Sequence, residues 1–382
     1  MSRSPRKPRS AADAGGGVRT ENLPDGIVFM PDATYGVVRS VGPDDLAAAG
    51  VRIVMTNSYH LSRRPGVTTV QALGGVKTML GWDKPIATDS GGFQAYSIIR
   101  SNPKLGRVSR DGLVFSTEAR QPPIRLTPEK AIQNQLRIGS DILFCLDDCT
   151  HAEADDSEQE LSVERTIAWA RRCKDAFERG VSQRRFSGEP PRLFAVVQGG
   201  RNLGLRRRCA EALLEIGFDG FGYGGWPIDE QGQLLADLLE MTRDLIPAEL
   251  PMHALGVGHP ASIVACAGFG YTLFDSALPT RDARRGRLYT FREAAPEIDR
   301  PAGEWLQFIY IDDDKHIKSA APISSHCPCP VCQRFSRGYL RHLSQLEDGL
   351  FFRFATIHNL SFMRQLTDLI SARLRNGNGA KA

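Results

Sequence analysis

No stretch of this chain approaches the run of about 20 apolar residues that crosses a bilayer, and its first residues lack the apolar centre of a secretory signal. Both absences make the cytoplasm the expected compartment. Cysteine is sparse, eight in 382 residues, and five of the eight (Cys145, Cys149, Cys173, Cys209 and Cys266) stand singly. That scatter is not a disulfide framework and fits a reducing environment. Charge of one sign is lacking too. The formal net charge of +4 permits a nucleic-acid partner without requiring one, since local arginine clusters decide more than the total. The remaining composition, 41% hydrophobic and 24% charged, suits a globular protein long enough for one large barrel or two medium domains.

The other three cysteines are crowded. Cys327, Cys329 and Cys332 fall in His326-Cys-Pro-Cys-Pro-Val-Cys332, and His358 follows in Thr-Ile-His-Asn-Leu. A soft tetrahedral divalent ion is the simplest thing that organises such a cluster, and we read it as a structural zinc site. With His358 closing the shell no position stays open for water, so the ion's task is folding and catalysis lies elsewhere. The plain alternative is three reduced cysteines beside a core histidine.

Residues 1–23, rich in Arg, Ser, Pro, Ala and Gly without apolar periodicity, read as a disordered basic tail. Short apolar segments then alternate with helical ones. The strand candidates are Tyr35–Val38, Arg52–Asn57, Pro85–Asp89, Asp141–Asp147, Arg192–Gln198, Gly220–Gly224, His253–Val257 and Thr272–Asp275. Helices are expected over Ser162–Arg179, Leu203–Ile216 and Gly232–Leu245 among others. Eight short strands separated mostly by helices predict an α/β fold, a (β/α)8 TIM barrel over 24–290. A zinc-binding lobe with closing helices is expected over 291–370, and a flexible tail over 371–382.

In such a barrel, chemistry belongs at the C-terminal ends of the strands. Asp89 ends one strand in Ala-Thr-Asp-Ser-Gly-Gly-Phe93-Gln94, Asp147 another in Cys-Leu-Asp-Asp-Cys149, and Gln198 a third in Ala-Val-Val-Gln-Gly-Gly. A glycine turn follows at Gly222-Tyr-Gly-Gly225, and Asp275 ends Leu-Phe-Asp. Singly, each has an ordinary structural reading, since aspartates cap helices and Gly-Gly makes turns. Their coincidence on one rim favours a functional one.

These segments, with Leu255-Gly-Val-Gly258, Pro279-Thr-Arg281 and the cysteine cluster, resemble the tRNA-guanine transglycosylases, nearest the bacterial type. The resemblance runs in order from about Met30 to about Leu366. It implies exchange of a guanine in tRNA, at the wobble position in bacterial and eukaryotic branches, for a 7-deazaguanine base. Exchange at C1′ with retained configuration calls for two displacements and two carboxylates. By correspondence Asp275 is the nucleophile and Asp89 the acid/base group. Asp147, Gln198 and the Gly225 N–H would read the base edge, Phe93 and Leu255 would sandwich its faces, and Cys149 would line the pocket. Stacking of that kind contributes roughly 1–3 kcal/mol per base. Asn57 and Gln94 would orient the carboxylates or the ribose. Arg281, Arg284 and Arg285 would meet RNA, and the resemblance implies a homodimer.

One stretch departs from the family. A small aliphatic dipeptide is usual after the paired glycines, whereas here Gly225-Trp226-Pro227-Ile228-Asp229-Glu230 follows. Pro227 has no N–H to give to guanine N7. The Trp226 carbonyl, supported by Glu230, could still accept from an aminomethyl group, which keeps 7-aminomethyl-7-deazaguanine as the leading incoming base. Two further readings stand beside this one, the same chemistry on DNA and a non-catalytic RNA-binding partner subunit. Retention of Asp89, Asp147, Gln198 and Asp275 argues against the last.

Overall fold

The structure, a computed structural model, describes residues 24–118, 121–151, 153–186 and 188–378. The expected tail at 1–23 lies outside them. Eight parallel strands form one sheet: Val28–Pro31, Val54–Asn57, Ile86–Asp89, Ile142–Phe144, Arg192–Val197, Gly220–Tyr223, Met252–Ala254 and Leu273–Ser276. The last pairs with the first, and a parallel bridge from Asp32 to Met55 brings the first against the second. The predicted (β/α)8 barrel is borne out.

Its first strand is not the expected one. Tyr35–Val38 is a turn, with Gly36 at φ +72° and Tyr35 and Val37 41% and 43% exposed. The barrel instead takes up Val28–Pro31, buried throughout. A four-residue run ending in proline carries little periodicity of its own, and its burial comes from closing the barrel. Elsewhere the sheet ends before the expected boundary: Ile142–Phe144 stops short of Asp147, and Met252–Ala254 short of Leu255. The chain leaves the ladder where it reaches the mouth.

Side-chain alternation divides each strand between two cores. Val28, Met30, Met55, Ala87, Phe144 and Phe194 fill the barrel, while Phe29, Val54, Ile86 and Leu143 face the surrounding helices. The helix expected over Ser162–Arg179 lies within Asp156–Ser182, begun where the Asp155 carboxylate accepts from the Glu158 N–H at 2.8 Å. The expected helix Leu203–Ile216 is found with those bounds, capped by Asn202. The sequence pattern marks no strand between Gln94 and Ala131, yet Gly106–Ser109, Gly112–Phe115 and Ile124–Leu126 form a small antiparallel sheet there.

After the last barrel strand comes a hairpin of Arg287–Phe291 with Leu306–Tyr310, then the cysteine loop. The final helix, Gly349–Asn378, extends past 370 into the stretch expected as a tail. It packs along the barrel's outside, where the Ser371 hydroxyl accepts from the Ile27 N–H at 2.8 Å. No described helix is long and apolar enough to cross a membrane.

Candidate active site and metal centre

Met55, Ala87 and Leu273 point into the barrel, so Asn57, Asp89 and Asp275, each two residues further on, rise above them at the mouth. Asp89 and Asp275 both line a cavity of about 330 Å³. The Asp89 carboxyl accepts from Asn57 Nδ2 at 2.6 Å and from the Gly91 N–H at 3.0 Å. Burial pushes its pKa up to about 7 against those hydrogen bonds, and the charge of Asp275 adds to the rise. Asp275 Oδ1 accepts from the Gly256 N–H at 2.9 Å. His253, fully buried below it, brings Nε2 to 2.9 Å from the same oxygen, at an angle too oblique for a hydrogen bond. The sequence marked His253 only as a strand residue.

Across the cavity, Asp147 Oδ2 accepts from Gln198 Nε2 at 2.7 Å. Burial raises Asp147 to about 6, with the neighbouring Asp148 adding to the rise. Gln198 Oε1 is buried without a partner among the described residues. Gly225 sits at φ +97°, a region that side chains avoid. A Cβ on Gly224 would come within 2.6 Å of the Gln198 side chain and of the Val197 carbonyl. The paired glycines therefore let the loop lie against Gln198 and the end of its strand. Phe93 is 43% exposed at the cavity edge and meets Trp226 edge-on, centroids 5.3 Å apart; Leu255 lines the same cavity. Cys149 is also there, its thiol raised by burial and by the Asp147 and Asp148 carboxylates, so it stays protonated.

Glu230 is exposed and is not on the cavity wall, which ends at Ile228 on that loop. Past Trp226 the chain is pinned: the Pro227 carbonyl accepts from the Leu235 N–H at 2.9 Å, and Ile228 bridges Leu234.

Arg206 carries a role that sequence reasoning missed. It is fully buried, and its guanidinium donates to the carbonyls of Gly200, Val197 and Gly224 at 2.7, 3.3 and 3.2 Å. Those carbonyls flank Gln198 and Gly225, so one cation clamps both loops at this side of the cavity. Only its place on a helix four residues past Asn202 was legible, and nothing in that spacing distinguishes it from a solvated arginine.

Arg281 and Arg284 lie on Leu278–Arg284, the helix directly after Asp275, and Arg285 caps it. Arg284 is lowered by burial and by the like charges of Arg39, Arg281 and Arg285, with Asp32 acting the other way, so these arginines form one cationic patch. Arg337 and Arg341 near the cysteine loop are engaged instead, with the Pro322 and Ile323 carbonyls and with Asp314 at 2.8 Å.

The ligand atoms of Cys327, Cys329, Cys332 and His358 lie within 4.8 Å of one another, all four residues buried. His358 Nδ1 is 3.8, 3.7 and 3.3 Å from the three sulfurs in that order. A tetrahedral zinc with ordinary Zn–S and Zn–N bonds needs edges of roughly 3.5–3.8 Å, so the donor set fits a metal ion of that size. His358 Nε2 donates to the Tyr289 carbonyl at 2.7 Å, which leaves Nδ1 as the ligand atom. The next residue, Asn359, donates to the Pro279 and Arg287 carbonyls and accepts from the Tyr289 N–H. The metal lobe thereby holds the arginine helix that follows Asp275.

Residues 22–381 match the family model described as queuine tRNA-ribosyltransferase. The queuine tRNA-ribosyltransferase of Solidesulfovibrio magneticus is 38% identical over 350 residues, 92% of this chain and 87% of the relative. That of Novosphingobium aromaticivorans is 34% identical over 91% of this chain and 87% of its own length, and that of Lawsonia intracellularis 37% over 88% and 84%. With its barrel, its facing carboxyls and its three-cysteine, one-histidine centre, the chain belongs to the queuine tRNA-ribosyltransferase family of tRNA-guanine transglycosylases and is an enzyme.

Proposed function

We propose that this enzyme exchanges guanine at the wobble position of queuosine-type tRNAs for 7-aminomethyl-7-deazaguanine or a related 7-deazaguanine, through a covalent ribosyl-aspartate. The observation that carries the reading is two carboxyls on one cavity in different settings, Asp89 held near neutrality by burial and Asp275 anchored by the Gly256 N–H. In the first displacement an Asp275 oxygen bonds to C1′ as the C1′–N9 bond breaks, and the Asp89 proton goes to the departing guanine. In the second, N9 of the incoming base displaces Asp275 and its proton returns to Asp89. A pKa near 7 lets one group serve both steps.

Asp147 would accept from the N1–H and exocyclic amine of the base, and Gln198 and the Gly225 N–H would meet its carbonyl oxygen. Among the described residues the Trp226 carbonyl receives no backbone hydrogen bond, which suits acceptance from an aminomethyl group. Arg281, Arg284 and Arg285 would hold phosphates around the extruded nucleotide. The metal is zinc, and it shapes the lobe behind them. We place the enzyme in the cytoplasm as a homodimer, which light scattering of the purified chain tests.

The same chemistry on DNA is the second reading, and it rests on Pro227, which removes a donor to guanine N7. Nucleoside mass spectrometry after incubation with tRNA or with DNA, each with labelled guanine and with 7-deazaguanines, separates the two. Incorporation into tRNA is expected; incorporation into DNA alone would transfer the assignment to DNA, and incorporation into neither would end both readings.

A further inference from the structure

Asp32 is an acceptor beside the reaction centre that the exchange chemistry leaves without a task. It follows the first barrel strand by one residue, and the alternation that turns Val28 and Met30 inward sets Asp32 on the inward side of the rim, next to Asp275 and just outside the residues that line the cavity. Met30 is the register partner of Asp275. Two residues of rise and one strand spacing then set the Cα atoms of Asp32 and Asp275 roughly 8 Å apart. On its other side Asp32 bridges Met55, two residues before the Asn57 that holds Asp89. Burial first, and the Asp275 charge among the further causes, raise the Asp32 carboxyl.

One oxygen is spoken for. Oδ1 accepts from the Thr34 N–H at 3.0 Å and from the Thr34 hydroxyl, a turn that asparagine would make equally well. Among the described residues nothing donates to Oδ2. Arg39 and Arg284 act on Asp32 electrostatically without forming an ion pair with it among those residues. The turn thus explains the residue's shape and leaves its charge and second oxygen unexplained.

We propose that Asp32 accepts a hydrogen bond from the 2′-hydroxyl of the nucleotide whose base is exchanged, which makes it a specificity residue for ribonucleic acid. The inference rests on the base-exchange reading, because it needs C1′ against Asp275. In an unbroken strand the 3′ and 5′ oxygens are esterified and the ring oxygen only accepts. The 2′-hydroxyl is therefore the sugar's sole donor, on the carbon next to C1′. An ionised carboxylate is an acceptor and nothing else. Against a deoxyribose, Oδ2 would be covered by C–H groups with nothing to accept, and a site built for a hydroxyl rejects the analogue that lacks it.

The test uses two tRNAs identical except for a single 2′-deoxyguanosine at the exchanged position, with kcat/KM for labelled-guanine exchange as the readout. Wild type should prefer the ribo form by roughly ten- to a hundredfold. Asp32→Ala should lose rate on the ribo form and little on the deoxy form, bringing the ratio near one. Asp32→Asn keeps an acceptor for Thr34, and so reports even where the alanine variant fails to fold; its ratio should fall at least threefold. A ratio equal in wild type and Asp32→Asn overturns the role of Asp32 and leaves base exchange standing. Exchange by wild type on neither tRNA overturns both.

Discussion

The metal centre and the barrel mouth are both clusters of buried polar groups, and they are completed to different degrees. At the metal centre His358 Nε2 has the Tyr289 carbonyl, and Nδ1 converges with the three sulfurs on one point. At the mouth, Gln94 Oε1, Gln198 Oε1 and Trp226 Nε1 are buried without partners among the described residues, and two carboxyls sit far above their ordinary range. Buried polar groups left unpaired cost stability. A centre that closes on itself contributes shape; we read the incomplete one, whose unpartnered groups gather around a cavity, as the place a ligand completes. The first should respond to substitution as a folding element and the second as a chemical one.

A paired experiment breaks or upholds that division. Asp275→Asn should lower guanine exchange by at least roughly a thousandfold with the thermal midpoint moved by no more than a few degrees. Cys332→Ser should do the reverse in kind, with a midpoint fall of roughly ten degrees or more, or insolubility, because it opens a shell that couples to folding. Exchange rate and calorimetry on both variants decide it. A folded, active Cys332→Ser protein would make the centre dispensable.

Arg206→Ala probes the seam between the two behaviours. It leaves the carbonyls of Gly200 and Gly224 without the Arg206 donor, while that of Val197 keeps the Gly224 N–H at 2.9 Å, so a loss of roughly 2 kcal/mol or more in denaturant unfolding is expected. The base pocket should loosen with it. KM for guanine should rise more than kcat falls, since the clamp acts on the walls and not on the reacting atoms.

What was legible in the sequence follows the same division. The cysteine and histidine cluster is readable because three thiols within a few residues have one cheap explanation, and Asp89 and Asp275 stand out because each ends a strand, while the roles proposed for them come from the family resemblance. Local apolarity points to Tyr35–Val38 in place of Val28–Pro31 because it does not record which segment closes a barrel. The sheet between Gly106 and Leu126 was missed for a related reason: its strands are held by pairing with one another, and their mixed burial leaves no clean alternation. Arg206, His253 and Asp32 act through tertiary neighbours, and no spacing announces them.

Asp89 should show the stability that the active site forgoes. In the folded protein it keeps its proton to about pH 7, against the ordinary 3.8. Between those values the folded state holds a proton that the unfolded chain has lost, so stability falls as pH rises through the window and the deficit is constant above it. Asp89→Asn removes that deficit. The variant should be inactive yet more stable than wild type at pH 8, by roughly 1–3 kcal/mol after allowance for solvent at the cavity wall, with the difference vanishing near pH 4. Urea unfolding at the two pH values measures it.

The smallest effect expected is at Glu230, and it sharpens the comparison most finely. The residue lies beyond the cavity wall on a loop pinned by Pro227 and Leu235, so Glu230→Gln should change guanine exchange by no more than about twofold, the range of an ordinary surface substitution. An aminomethyl base carries a positive charge that guanine lacks. If KM for that base rises severalfold in Glu230→Gln while KM for guanine stays put, the loop must close on the ligand and bring the carboxylate inward. Equal KM values in both enzymes would leave the Trp226 carbonyl as the sole acceptor on that wall, and the preference for a cationic base would then rest on a single hydrogen bond.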